Sequence, residues 1–343
     1  MYRIRTEHRI RTDTLMLWLL AAALALVTST VFAAAREIRG FVLTVSDLDR
    51  AVVFYEQALG FEKVSERTVT GRDLDYLTGV FGTRVRIARL QLGDEFIELE
   101  QYVAPAGLPI PVDSRSNDLW FQHFAVVASD MEKAYEHVRG FGVQSISSAP
   151  QTIPESNRAA AGIKAYKFKD PDGHPLELLT FPPDKGRAKW QDKGRLFLGI
   201  DHSAITVADT QRSTRFWRDL VGLQVAGANL NTGITQEQLD NAFGAVVRIT
   251  GLKPERETSP GLEFLQYLTP SGGRATPIGQ RPNDLGATRT VVEVDDLDVL
   301  TAKLQAANVS FISPQPVSVP GMPWRKGLMV RDPDGHAVLL VEP

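Results

Sequence analysis

The chain has 343 residues with a formal net charge of −3, 43% apolar residues and 23% charged residues. These proportions suit a globular chain of about two domains with a sizeable core, and they supply no basic surface for nucleic acid. The absence of cysteine excludes disulfides and thiolate metal sites, so any metal has to be held by His, Asp or Glu.

The first predicted element is an export signal. Arg3, Arg5, Arg9 and Arg11 precede the uncharged apolar run Leu15–Val27, and Ala33 and Ala35 form a small-x-small pair in TSTVFAAA. Residues 1–35 therefore read as a secretory signal peptide. Left uncleaved, residues 14–35 would instead anchor the chain in a membrane, because only Thr28, Ser29 and Thr30 interrupt Leu15–Ala35. Either way the arginines stay inside and the rest lies outside, so the expected location is periplasmic or otherwise extracytoplasmic, soluble or anchored.

The remainder of the chain repeats itself. GFVLTVSDLDRAVVFYEQALGF (Gly40–Phe61) and DHSAITVADTQRSTRFWRDLVGL (Asp201–Leu223) each predict a strand, a cap and a helix. The caps are Ser46-Asp47 and Asp209-Thr210, and Gly60 and Gly222 stop the helices. FGTRVRI (Phe81–Ile87) is echoed by FGAVVRI (Phe243–Ile249), and IELEQYVAP (Ile97–Pro105) by LEFLQYLTP (Leu262–Pro270). A second pair of units starts at RSNDL (Arg115–Leu119) and RPNDL (Arg281–Leu285). Each runs through a strand, an acidic cap (Ser129-Asp130 or Asp295-Asp296) and a helix. They end in the hairpins DPDGHPLELL (Asp170–Leu179) and DPDGHAVLLV (Asp332–Val341). The predicted fold is α+β, with four strand-helix-strand-strand-strand modules in two domains, residues 37–183 and 197–343, joined by the polar linker 184–196. The DPDG turns read as scaffold, with Asp and Gly serving backbone geometry and His174 and His336 belonging to the same hairpins.

Paired βαβββ modules carrying V-x-D-x-x-x-(S/A)-x-x-F-Y/W and DPDGHxxEL resemble the vicinal oxygen chelate (VOC) superfamily. That group includes glyoxalase I, extradiol dioxygenases, methylmalonyl-CoA epimerase, and the fosfomycin and bleomycin resistance proteins. The resemblance covers residues 37–343 and implies tandem domains with cupped, incompletely closed mixed sheets. It also implies two ligand positions per module, at the start of the first strand and in the last strand. These are Gly40 and Glu98 in module one, His123 and Glu177 in module two, His202 and Glu263 in module three, and Arg289 and Leu339 in module four. If modules paired within each half, the first half would offer Glu98, His123 and Glu177. Some glyoxalase-like members pair modules across the halves, which would gather His123, Glu177, His202 and Glu263 into one metal site and leave the other dead. The cross-half arrangement is the simpler description and the one expected here.

Strand alternation supports these ligands independently. Glu177 shares a face with Leu179 and Phe181, and Glu263 with Leu265 and Tyr267. A carboxylate on an apolar face is costly unless it is paired or metal-bound. For Glu98, an exposed rim or a salt bridge to Arg289 is as good a reading as ligation.

A His2Glu2 site most resembles glyoxalase I. The resemblance implies one divalent ion (Zn, Ni, Co or Mn) that holds vicinal oxygens of a small substrate, with Glu177 or Glu263 as the catalytic base of a lyase- or isomerase-type proton transfer. Export is at odds with a plain glutathione-dependent activity, since that thiol is mainly cytosolic. The first alternative is an Fe(II) extradiol-type dioxygenase using His123, His202 and Glu177, although Arg289 and Leu339 stand where such enzymes take their ligands. The second is a metal-free exported protein that binds a small molecule in the same cup. Four modules can close both cups in one chain, so a monomer is feasible alongside a homodimer.

Overall fold

The computed structural model describes residues 35–343. The segment expected to direct export or anchor the chain lies outside the described residues apart from Ala35. Among the described residues no helix is long and apolar enough to cross a membrane.

Module one runs β1 (Ala35–Thr44), α1 (Leu48–Leu59), β2 (Glu62–Thr70), α2 (Arg72–Thr78), β3 (Arg84–Leu92) and β4 (Glu95–Ala104). Asp47 caps α1 by accepting the Arg50 N–H at 3.0 Å, and left-handed Gly60 ends it. Leu48, Ala51, Val52, Tyr55 and Leu59 form the buried stripe of that helix, the spacing expected of an amphipathic helix on a sheet. Module two runs β5 (Gln122–Ala128), α3 (Met131–Arg139), the short β6 (Gln144–Ser145) and β7 (Gln151–Thr152), β8 (Lys164–Lys169) and β9 (Pro175–Thr180).

Module three repeats module one as β10 (Phe197–Thr206), α4 (Thr210–Thr214, continued by a π-helical stretch Arg215–Val221), β11 (Gln224–Thr232), α5 (Ile234–Asp240), β12 (Val246–Lys253) and β13 (Gly261–Thr269). Module four repeats module two as β14 (Arg289–Val294), α6 (Leu297–Ala306), β15 (Ser310–Phe311), β16 (Lys326–Arg331) and β17 (Ala337–Glu342). Asp130, Asp209 and Asp296 cap α3, α4 and α6 in the manner of Asp47. The short helices α2 and α5 are additions to the sequence-based pattern.

The α+β class holds, and the strands form two open mixed sheets. One sheet has the order β15-β16-β17-β14-β1-β4-β3-β2, and the other β11-β12-β13-β10-β5-β9-β8-β6 with β7 on β8. Modules four and one thus share a sheet, and modules three and two share the other. The central joints are the antiparallel pairs β1–β14 and β5–β10. A single apolar cluster draws on both sheets and on the helices, including Phe41, Tyr55, Phe124, Phe168, Trp217, Phe264, Val292 and Leu340. The stretch between the halves packs down as well: Trp190 is buried, and its indole N–H donates to Asp201 at 2.9 Å.

Each DPDGH hairpin is a fastener between modules. Asp170 accepts the backbone N–H groups of Asp172 and His174 at 2.9 and 2.8 Å. Its other oxygen accepts the Tyr55 hydroxyl of α1 and faces the His174 ring, both at 2.9 Å. Asp332 does the same for Asp334, His336 and the Trp217 indole. The pinning is charge-assisted, because the Asp170 carboxylate raises the affinity of buried His174 for its proton despite the opposing effect of burial. Asp170→Ala strands those donors inside the fold, and a loss of about 3 kcal/mol in urea denaturation is expected. A loss below about 1 kcal/mol would show that the hairpin is only a turn.

Candidate metal centre

Strand register decides which residues meet. On the β5–β10 joint His123 stands opposite Ala204 and His202 opposite Ala125. Parallel pairing sets Glu177 of β9 level with Ala125 and Glu263 of β13 level with Ala204. Side chains alternate across a strand, so these four share the concave face while Phe124, Val126, Ile205 and Leu178 enter the core. A bulge between Ile200 and His202 lets those two residues face opposite sides although they are two apart.

All four sequence-predicted ligands therefore line one pocket, of about 670 Å³ counting the space open to solvent at its mouth. His123 Nε2 lies 3.2 Å and His202 Nε2 3.8 Å from the same oxygen of Glu177. Candidate ligand atoms of His123, Glu177 and His202 all fall within 4.8 Å of one another. Glu263 is set slightly apart, with an oxygen 3.5 Å from His202 Nε2 and a side chain 31% exposed, against 7% for Glu177.

The donor set suits a divalent cation. Both ring nitrogens of His123 are buried without a hydrogen-bond partner, a costly state for a polar group that a metal on Nε2 would relieve. Burial lowers the pKa of His123, so the ring offers a neutral lone pair. Burial alone would raise Glu177, but His123, Lys167 and His202 outweigh it and hold its carboxyl at about 2. Burial raises Glu263, helped by Glu177 and Asp201 and opposed by His202. Burial lowers His202, yet Glu263, Asp201 and Glu177 more than offset this and push it up to about 9. Asp201 lies 3.0 Å from His202 Nδ1, which leaves Nε2 directed at the carboxylates, the outer-shell pattern of ligating histidines.

Sequence reasoning missed three residues of this site: Asp201, Lys167 and Asp240. Lys167 is buried in β8, 2.7 Å from Asp240 and 4.0 Å from Glu177, and Asp240 also accepts the Tyr267 hydroxyl at 2.6 Å. A signal was available, because KAYKFKDPDGH aligns with KGLMVRDPDGH and sets Lys167 against Met329.

The other sheet has the same registers with different contents. Val42 stands opposite Arg289 and level with Glu98, and Val291 is level with Leu339. The proposed salt bridge between Glu98 and Arg289 is not formed. Fully buried Arg289 donates instead to Glu100 at 2.7 Å, while Glu98 accepts from Arg67 at 2.9 Å. Strand alternation does place Glu98 and Glu100 on one face, and the inner of the two takes the buried guanidinium. At Gly40 a Cβ would lie 2.2 Å from the Phe96 carbonyl oxygen, so the position matching His202 has no room for a side chain.

Metal has to displace the proton that His202 keeps up to about 9 in the metal-free protein. Apparent affinity should therefore rise about tenfold per pH unit between roughly pH 7 and 9, with about one proton released per ion. Zinc titration calorimetry in buffers of different ionisation enthalpy measures both, and a flat affinity across that range would contradict the assignment.

The model of the Glyoxalase/Bleomycin resistance protein/Dioxygenase superfamily matches residues 37–178 and 199–340. A 2-epi-5-epi-valiolone epimerase from Actinomyces sp is 31% identical over 147 residues, 40% of this chain and 76% of that protein. Among solved structures, glyoxalase I from Zea mays superposes with a TM-score of 0.60 at 19% identity, over 90% of this chain and 92% of that one. Two family segments cover both halves, and their modules form the open mixed sheets and the His–Glu cup described above. The chain belongs to the Glyoxalase/Bleomycin resistance protein/Dioxygenase superfamily.

Proposed function

We propose that this chain is an exported, metal-dependent VOC enzyme that moves a proton on a small substrate bearing vicinal oxygens, an isomerase- or lyase-type reaction. The observation that carries the reading is the unequal pair of carboxylates. Glu177 is fixed between His123, His202 and Lys167, whereas Glu263 forms no hydrogen bond among the described residues, faces only His202 at 3.5 Å and is 31% exposed to the pocket. The similarity to an epimerase supports the same chemistry. The arginines and apolar run before residue 35 support export.

His123, His202 and Glu177 would hold the ion. Bound there, a divalent cation supplies Lewis acidity that polarises a substrate carbonyl and acidifies the neighbouring C–H. Asp201 keeps His202 oriented, and Lys167 keeps Glu177 ionised. Glu263, unpinned and beside the open mouth, takes the proton from the carbon next to the carbonyl and returns it, so that atoms and charge balance over the cycle. Leu179, Phe181 and Leu265 line the same pocket and keep water away from the transferred proton.

A second reading draws on the same triad, since two imidazoles and one carboxylate with open positions also suit Fe(II) and oxygen chemistry. Oxygen uptake with a catechol would favour it. Glu263 weighs against it, because it stands beside His202 in the space that catechol and oxygen need.

Metal analysis should find about one divalent ion per chain, lost in His123→Ala and kept in Glu98→Ala. Loss in Glu98→Ala with retention in His123→Ala would overturn the site. Glu263→Gln should retain metal while slowing solvent-deuterium incorporation into a small hydroxyketone such as dihydroxyacetone by about 100-fold or more. Unchanged exchange would remove Glu263 from the base role.

A further inference from the structure

Resting on that reading of the cup, we propose that its wall opposite the apolar residues is a hydroxyl-binding subsite built from Asn229, Asn231 and Gln236. The substrate class it fits is a small, uncharged, polyhydroxylated carbonyl compound. Asn229 and Asn231 lie two apart on β11, opposite Ile249 and Val247 of β12, so both point to the pocket face. Gln236 joins them from α5, and all three line the pocket that holds the metal ligands.

The wall is wired to the metal centre. Asn231 donates to Gln236 Oε1 at 2.9 Å, and Gln236 donates to Asp240 at 2.6 Å. Asp240 in turn binds Lys167, whose ammonium lies 4.0 Å from Glu177. On the other side Asn231 accepts from Asn157 at 2.6 Å, in the loop between β7 and β8. The side-chain amide oxygen of Asn229 is buried with no partner in the protein, a state that a donor on a ligand would relieve. Asn231 and Gln236 also line an adjoining pocket of about 460 Å³ that includes Ser156 and Thr232, so the polar surface extends beyond one hydroxyl.

The other sheet is an internal control. In the repeat alignment the positions of Asn229, Asn231, Gln236, Asp240 and Lys167 are held there by Arg67, Val69, Leu74, Thr78 and Met329. Strand registers agree, with Arg67 opposite Ile87, Val69 opposite Val85 and Met329 opposite Leu339. Val69, Leu74 and Met329 sit in an apolar cluster. Hydrocarbon fills these three places in the other sheet, whereas in the cup with the metal ligands the matching residues are the amides Asn231 and Gln236 and the buried Lys167. Asn231 and Gln236 are satisfied within the network, so the unpartnered Oδ1 of Asn229 is the group that a ligand donor would relieve. The wall is also neutral: Lys167 is the only lysine or arginine lining this pocket, and it is already paired. A carboxylate- or phosphate-bearing ligand finds no free countercharge among these residues.

The test is calorimetric titration of the zinc-loaded full chain with three probes: D-fructose, dihydroxyacetone and catechol. Fructose should bind about tenfold more tightly than dihydroxyacetone. Asn229→Leu should lower fructose affinity by about tenfold, with dihydroxyacetone affinity and zinc content unchanged, and Asn229→Asp, which keeps the acceptor oxygen, should retain most of it. Equal binding of fructose and dihydroxyacetone, or an Asn229→Leu protein that binds fructose normally, would overturn the subsite while leaving the cup as a substrate site. Preference for catechol would overturn the polyol assignment in favour of the dioxygenase reading. If no probe binds to protein carrying one zinc per chain, both the subsite and the proposed function fail.

Discussion

Everything at the proposed centre depends on the antiparallel ladder between Gln122–Ala128 and Phe197–Thr206. It joins the second module of one half to the first module of the other, and it sets His123 and His202 on one face of a continuous sheet. The two parallel neighbours then bring Glu177 and Glu263 alongside. A slip of one residue in that joint would turn the imidazoles into the core and Phe124 and Ile205 into the cup. The core resists such a slip, because the opposite face of the same strands is buried in the cluster shared by both sheets.

The two cups illustrate what a buried charge requires. In one, two imidazoles and two carboxylates converge around a lysine–aspartate pair, with unsatisfied nitrogens on His123. In the other, Arg289 occupies the place of His123 and is matched by Glu100, Tyr102 and Thr44. Burial works against the Arg289 charge, and Glu100 and Tyr102 more than offset it. One cup thus pairs a guanidinium with a carboxylate, although Arg289 Nε is itself without a partner, while the other gathers the imidazoles and carboxylate of a group that could hold a metal ion. The geometry at Gly40 makes the difference hard to reverse, since the Phe96 carbonyl occupies the space a side chain would need.

Much of this was legible in the repeats. Caps at Asp47, Asp130, Asp209 and Asp296, the glycines ending two helices, and the DPDGH hairpins are local signals, and local hydrogen bonding realises them. The four ligand positions were named through the resemblance to the VOC superfamily, and for Glu177 and Glu263 a carboxylate on an otherwise apolar strand face pointed the same way. Lys167 and Asp240 escaped notice because a lysine in KAYKFK and an aspartate at a helix end are ordinary on a surface. Their significance comes from burial against each other. A salt bridge to Arg289 was one of the open readings of Glu98, and Glu100 takes that place because alternation sets both on one face and does not say which is nearer the sheet centre.

By itself the sequence determined the module count, the strand and helix order and the hairpin chemistry, which follow from periodicity and side-chain type within short windows, while its resemblance to the VOC superfamily named the candidate metal ligands. Only the tertiary structure decided which modules share a sheet, which carboxylate lies between two histidines and a lysine and which faces one histidine, and where unpartnered polar atoms face a cavity. Those properties arise from strand pairing and burial between residues far apart in the chain, from His123 opposite Ala204 to Lys167 against Asp240. No local pattern encodes such distances; they exist once the two halves have closed on each other.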